Sequence, residues 1–475
     1  MLDQTCAPLV EALRHCTHRP HAAFYTPGHK QGQGISSLHR GVFGDDIFRV
    51  DLPELPELDD LFAPESVILA AQELAAEAFG AEKTWFLING STCGVEAALL
   101  ATCGPDDRVI VPRNAHQSVL SGLILSGAQP VWVAPTYDPS WQLSLGITAD
   151  EIAATLQQYP DIKAVVVVSP TYEGVCSDIA AISTIVHHHG IPLIVDAAHG
   201  PHFAFHPELP PSALSGGADI VIHSAHKVLA AFTQSALLHV QGERCDRNHL
   251  NQALRMTQSS SPSYLLLGSL DAARHQMAND GRALMEYTLD LAHTARRQLS
   301  WLPVLNVAEQ RSFQQDLTRL TVDVSALDTT GFAADTWLHE WGVTAELPTT
   351  HQLTFIISLG NSMEDVEQLI QGLTQLPATG AAKHAQSSWQ TPVAGLSPRD
   401  AFFASTEMCL VDDAVGRFSA DIICIYPPGI PNLMPGELIT KDVLTALRVA
   451  QASGAHLNGL VDPTLQTLRV LQTSD

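Results

Sequence analysis

The chain has 475 residues, of which 45% are hydrophobic and 16% charged, enough for two or three domains with substantial cores. Its net charge of −25 would repel nucleic-acid phosphates and favours cationic small molecules as partners. No run approaches the ~18 apolar residues of a membrane span, and the start Met1-Leu2-Asp3-Gln4-Thr5 lacks a basic, apolar signal segment, so a cytoplasmic protein is expected.

The 8 cysteines are scattered without a C-x-x-C pair, so neither a zinc site nor a disulfide framework is indicated. Residues 1–62 read as an N-terminal arm. A Gly-rich stretch (Thr26 to Gly34) is followed by an acidic, Pro-punctuated one (Asp51 to Asp60), a pattern expected to wrap over a neighbour.

From Glu65 the pattern becomes regular. Val67, Ile68, Ala71, Leu74, Ala75, Ala78 and Phe79 share one helical face, and Gly80 stands at the C-cap position. Short apolar strands then alternate with helices: 84–88, 108–111, 130–133, 164–168, 191–195 and 220–222. Val165-Val166-Val167-Val168 is apolar at every position, so both faces are covered. The fold class is α/β, with a mostly parallel central sheet between helices over residues 63–300. Such sheets bind ligands at the carboxyl ends of their strands, where Ser169, Asp196 and Ser224 stand.

Residues 301–376 shift to a smaller α+β unit, with strands at 317–324 and 353–359 around a helix at 333–341. A Pro-, Gly-, Ala- and Ser-rich linker is expected at 377–398, and a last unit at 399–475 ends in a helix.

Ser224-Ala225-His226-Lys227 follows the strand ending at His223, and Asp196 ends the strand before it. A lysine so placed can form a Schiff base with the aldehyde of pyridoxal phosphate. The aspartate can pair with the pyridinium nitrogen and keep it protonated. Asn89-Gly90-Ser91-Thr92 lies between a strand and a helix expected at 95–101, where backbone N–H groups and the Ser91 and Thr92 hydroxyls would cradle a phosphate. His116, after the strand 108–111, is placed to stack on a cofactor ring. Each of these residues also has an ordinary reading as a cap, a loop histidine or a surface lysine; their order and spacing carry the argument. His187-His188-His189 precedes Gly190 at a helix end, and three consecutive histidines cannot face one way, so metal is not expected.

The chain resembles the Orn/Lys/Arg decarboxylase family, in its short bacterial form without an N-terminal receiver-like wing domain. The resemblance runs over nearly the whole chain. It is carried by Phe24 to Lys30, Asp51 to Leu61, Asn89-Gly90-Ser91-Thr92, Arg113-Asn114-Ala115-His116, Asp196-Ala197-Ala198-His199-Gly200, Ser224-Ala225-His226-Lys227, Ser260 to Tyr264, Tyr426 to Pro431 and Pro435-Gly436-Glu437. It implies the fold of the type I pyridoxal-phosphate enzymes, with 399–475 as a C-terminal decarboxylase domain. It implies that Lys227 binds the cofactor, Asp196 pairs with its ring nitrogen and His116 stacks on the ring. Ser91, Thr92 and Ser224 would bind its phosphate, and His226 would lie near the phosphate and the reacting centre.

The resemblance further implies that Glu346 contacts the substrate's side-chain cation, with Glu54, Asp59 and Asp60 as weaker candidates. Lys227 or His226 would protonate the substrate Cα. The site would stand at the interface of a homodimer, with 260–264 as an interface loop. Gln117 departs from the family, which usually has lysine there, and its effect is open at this point. The expected reaction is decarboxylation of a basic amino acid, with arginine favoured, lysine second and ornithine third. The alternatives are a same-fold aminotransferase or aldolase, and a non-catalytic regulator that binds the cofactor.

Overall fold

The computed structural model describes residues 1–19, 21–307, 310, 312–378, 395–426 and 428–472. Most of the expected linker lies outside them.

The chain opens with α1 (Pro8–His18), whose buried face is Leu9, Leu13 and Cys16. After two short helices in the arm (Ser37–Phe43 and Asp46–Val50), α2 (Val67–Phe79) ends on Gly80 in the left-handed conformation. The Asp59 carboxylate caps its start, accepting the N–H groups of Ser66 (2.8 Å) and Ile68 (3.1 Å). Strand β1 (Lys83–Leu87) leads into α3 (Gly90–Thr102), β2 (Arg108–Pro112), α4 (Gln117–Ser126) and β3 (Gln129–Val133). Then come β4 (Ile162–Val168), β5 (Leu193–Asp196), β6 (Ile220–His223), the single turn α5 (Ala225–Val228), β7 (Ala236–Val240) and the long α6 (Tyr264–Gln298).

These strands form a seven-stranded sheet in the order β1-β7-β6-β5-β4-β2-β3. β7 runs antiparallel to β1 and β6, and the other pairings are parallel. Covered on both faces, as the valine run required, the sheet separates two apolar cores. The sequence reading had no strand at β7. Its register pairs Val168 with Asp196 and Asp196 with Ile222, which brings the carboxyl ends of β4, β5 and β6 side by side.

The first residues are seated on this chain's own body. Asp271 and Arg274 of α6 are both buried and paired, and they bind the N-terminal backbone. Asp271 Oδ2 accepts the Leu9 N–H (3.0 Å), and Arg274 donates to the carbonyls of Gln4 (3.1 Å) and Cys6 (2.8 Å). Farther along the expected arm, Phe24, Leu38, Val42 and Phe43 are exposed.

The smaller unit has a three-stranded antiparallel sheet of Arg319–Asp323, Gln352–Ile356 and Leu347–Pro348, covered by the helices Gly331–Glu340 and Met363–Thr374. The two expected strands and the expected helix lie within one to three residues of their sequence boundaries, while the strand Leu347–Pro348 and the helix Met363–Thr374 were not expected. The last described unit packs two small antiparallel sheets around α7 (Lys441–Ala452), and among the described residues its last element is the strand Thr467–Leu471, not the expected helix.

Candidate active site

A cavity of ≈ 440 Å³ opens at the carboxyl ends of β2, β4 and β5. Ser91, His116, Asp196 and Lys227 all line it, so four residues singled out by the sequence meet in one place.

Ser91 and Thr92 stand inside the first turn of α3, which begins at Gly90 and not at Val95 as expected. The first-turn N–H groups have no intrahelical partners and suit an anion. Gly94 lets this helix approach the sheet: a Cβ there would fall 2.7 Å from Leu87 Cδ1. Ser224, the N-cap residue of α5, donates to Ser91 Oγ at 2.7 Å, which puts two hydroxyls at the α3 terminus. The exposed Thr92 side chain and the half-buried His226 are not among the cavity-lining groups.

His116 is the N-cap of α4, and its Nδ1 accepts the Ser118 N–H at 3.2 Å. Burial lowers its pKa, and nearby Lys227 adds to the effect against the opposing charge of Asp196. Burial thus favours the neutral form of the ring. Asp196 is buried at the end of β5, with Oδ1 accepting the Ala198 N–H at 3.2 Å. Lys227 projects from α5 with its Nζ 2.9 Å from His199 Nε2 and 5.1 Å from the centre of the Tyr172 ring. Burial lowers the Lys227 pKa, Asp196 and Glu346 oppose that, and Arg319 adds to it.

His199, Tyr172, Arg319 and the last unit had no assigned part in the site from sequence. His199 belonged to a quoted motif, but its partners are remote in the chain. Arg113, at the end of β2, donates to the carbonyls of Pro431 (2.5 Å) and Asn432 (3.1 Å) and to Glu437 Oε2 (3.3 Å). It thereby draws the last unit over the cavity, where Ile430, Asn432, Thr440 and Asp442 form a wall. Gln117 uses its backbone N–H to bond the Gly429 carbonyl (2.9 Å), so the loop 428–431 is fastened beside His116.

Glu346 is exposed on this single chain, at the rim, yet its charge acts on Lys227, Arg319 and Tyr172. Glu173 lines the cavity itself, and burial raises its pKa. Of the weaker acidic candidates, Asp59 is taken up by the α2 cap, while Glu54 and Asp60 are exposed.

The donor set fits pyridoxal phosphate. A half-buried amine, a buried carboxylate, a flat ring and paired hydroxyls at a helix N-terminus surround one cavity.

The family model described as "Orn/Lys/Arg decarboxylase, major domain" matches residues 7–317, and its "C-terminal domain" partner matches 381–469. The chain belongs to the Orn/Lys/Arg decarboxylase family. It is a pyridoxal-phosphate-dependent decarboxylase of basic amino acids. An arginine decarboxylase of Bacillus anthracis is 38% identical over 99% of this chain and 98% of its own length. An arginine decarboxylase of Bacillus subtilis is 35% identical over 99% of both. The solved lysine decarboxylase A of Pseudomonas aeruginosa superposes with a TM-score of 0.85 at 23% identity, over 98% of this chain and 81% of that one. That likeness fixes the type I fold.

Proposed function

We propose that this decarboxylase acts on L-arginine, releasing CO₂ and leaving agmatine, with lysine second and ornithine third. The observation that carries the reading is the placement of Lys227 in a cavity with Asp196, His116 and acidic walls. Arginine is supported over lysine by full-length relatives at 35–38% identity named arginine decarboxylase, against 24% for the constitutive lysine decarboxylase of Escherichia coli.

When bound, pyridoxal phosphate supplies an electron-poor ring that accepts the electron pair left as a carboxylate departs as CO₂. Lys227 holds the cofactor through its amine. Asp196 would pair with the ring nitrogen and keep its proton, and His116 would offer a flat surface for the ring. Ser91 and Ser224, with the first-turn N–H groups of α3, Thr92's among them, would hold the phosphate, with His226 close by. The substrate's distal cation faces Glu346, with Glu173 deepening the negative wall. Apolar groups in the lining, such as Val168, Leu347 and Ile430, would favour a carboxylate leaving as a neutral gas. Lys227, inside the cavity, or His226 beside it then delivers a proton to the substrate Cα.

The working unit is a homodimer in the cytoplasm, with its sites at the interface. The exposed Phe24, Leu38, Val42 and Phe43 on the N-terminal arm support a covered face there. CO₂ release from purified protein and pyridoxal phosphate, with arginine, lysine and ornithine offered separately, tests the reading. Release from arginine that disappears in Lys227→Ala is expected. Release from lysine or ornithine alone would overturn the substrate, and release from none would overturn the function.

A further inference from the structure

His199 lies between Lys227 and a second cation. Its Nε2 is 2.9 Å from Lys227 Nζ. On the other edge of the ring, Arg319 Nη2 is 3.2 Å from Nδ1 and 3.3 Å from the carbonyl oxygen of His199. A guanidinium has donors only and stays protonated in proteins. The Arg319 bond therefore requires a lone pair on Nδ1.

His199 is buried, and burial together with its cationic neighbours holds its pKa well below the usual range. A neutral imidazole carries one N–H, and here it stands on Nε2. Nε2 is then a donor toward Lys227, and an ammonium group has no lone pair with which to accept. The 2.9 Å contact is satisfied only by a neutral amine.

We propose that Arg319, acting through the Nε2–H form of His199, is a positioning residue that holds Lys227 as the neutral amine able to attack an aldehyde. Arg319 is fully buried, with its Nε 3.8 Å from Asp316 Oδ2. Asp316 also bonds His202 Nε2 (3.0 Å) and the Thr318 N–H (2.9 Å) and hydroxyl (2.6 Å). The groups acting on the Lys227 amine otherwise oppose one another. Asp196, Glu346 and the Tyr172 ring favour the ammonium form, while burial and the Arg319 charge disfavour it. The neutral His116 ring faces the same cavity. The directed hydrogen bond is the added bias.

The inference deepens the proposed role of Lys227 and rests on it, so its test reads no CO₂. The full chain, freed of cofactor and labelled with nitrogen-15 histidine, is compared with His199→Asn to assign the His199 ring signals. Wild type is expected to show an unprotonated Nδ1 and a protonated Nε2; a protonated Nδ1 would overturn the proposal even if no variant folds. In Arg319→Met, Nδ1 is released. The tautomer is expected to switch to Nδ1–H, and the midpoint of Lys227 acetylation, read by mass spectrometry against pH, to rise by about one unit, tenfold lower labelling below both midpoints. A midpoint that rises without the tautomer switch would assign the effect to charge alone and overturn the proposal.

Discussion

Arg113 and Glu437 form an ion pair at 3.3 Å between the end of β2 and the last unit, with side chains only 4% and 8% exposed. Burial raises the Glu437 pKa, and Arg113 counters it. Removing one member of a buried pair typically costs about 3–5 kcal/mol, because the other charge is left without compensation. Arg113→Met is therefore expected to lower the thermal midpoint and weaken cofactor binding, since the cavity loses its outer wall. Adding Glu437→Gln should recover part of the loss. Strict additivity of the two changes in a double-mutant cycle would show that the pair is not coupled.

Gly429 touches the same region. A Cβ at this position would fall 2.7 Å from His116 Nε2 and 2.9 Å from its Cδ2. The imidazole is held from behind by the Ser118 N–H, and the loop is held by Gln117, so neither can yield without losing a bond. Gly429→Ala is expected to weaken pyridoxal phosphate binding about tenfold while the circular dichroism spectrum stays unchanged. Cofactor affinity equal to wild type would remove this loop from the site.

The strands β2, β4, β5 and β6 were legible because apolar runs such as Val165 to Val168 have no solvated face. β7 was not, because His239 interrupts its apolar run and finds its partners at Thr84 and His223, on the neighbouring strands. The same physics separates the site residues. Lys227, Asp196 and Ser91 stand at strand and helix ends, which local pattern reveals. The bond from Arg319 to His199 spans 120 positions, and no local pattern carries it. The cover supplied by the last unit depends on Arg113 reaching Pro431 and Asn432, again a contact made only in three dimensions.

Glu346 tests the choice of cation partner. A charge-assisted hydrogen bond to the substrate contributes about 1.5–3 kcal/mol, so Glu346→Gln is expected to raise KM for arginine roughly ten- to hundredfold, with a smaller change in kcat. Because Glu346 also favours the charged form of Lys227, its loss should further lower the pKa of that amine in the cofactor-free chain. An unchanged KM would pass the role to Glu173, which lines the cavity more deeply.

His239 makes the fold sensitive to acid far from the substrate. Its ring is fully buried, with Thr84 Oγ1 at 2.7 Å and His223 Nδ1 at 3.1 Å, and burial pushes its pKa down from 6.5 to about 3. Above pH 6.5 the imidazole is neutral in both folded and unfolded chains, and the full stability is present. Between pH 6.5 and about 3 the unfolded ring takes a proton that the folded ring refuses, so stability falls by about 1.4 kcal/mol per pH unit from this residue alone. His223, driven in the same direction by burial and by His239, adds to the slope. Urea unfolding of the cofactor-free chain at pH 7, 6 and 5 is the measurement. His239→Gln, which keeps a polar group against Thr84 but does not titrate, should lose stability at neutral pH and show a shallower decline with acid. A decline as steep as in wild type would mean that His239 binds its proton equally well in the folded chain.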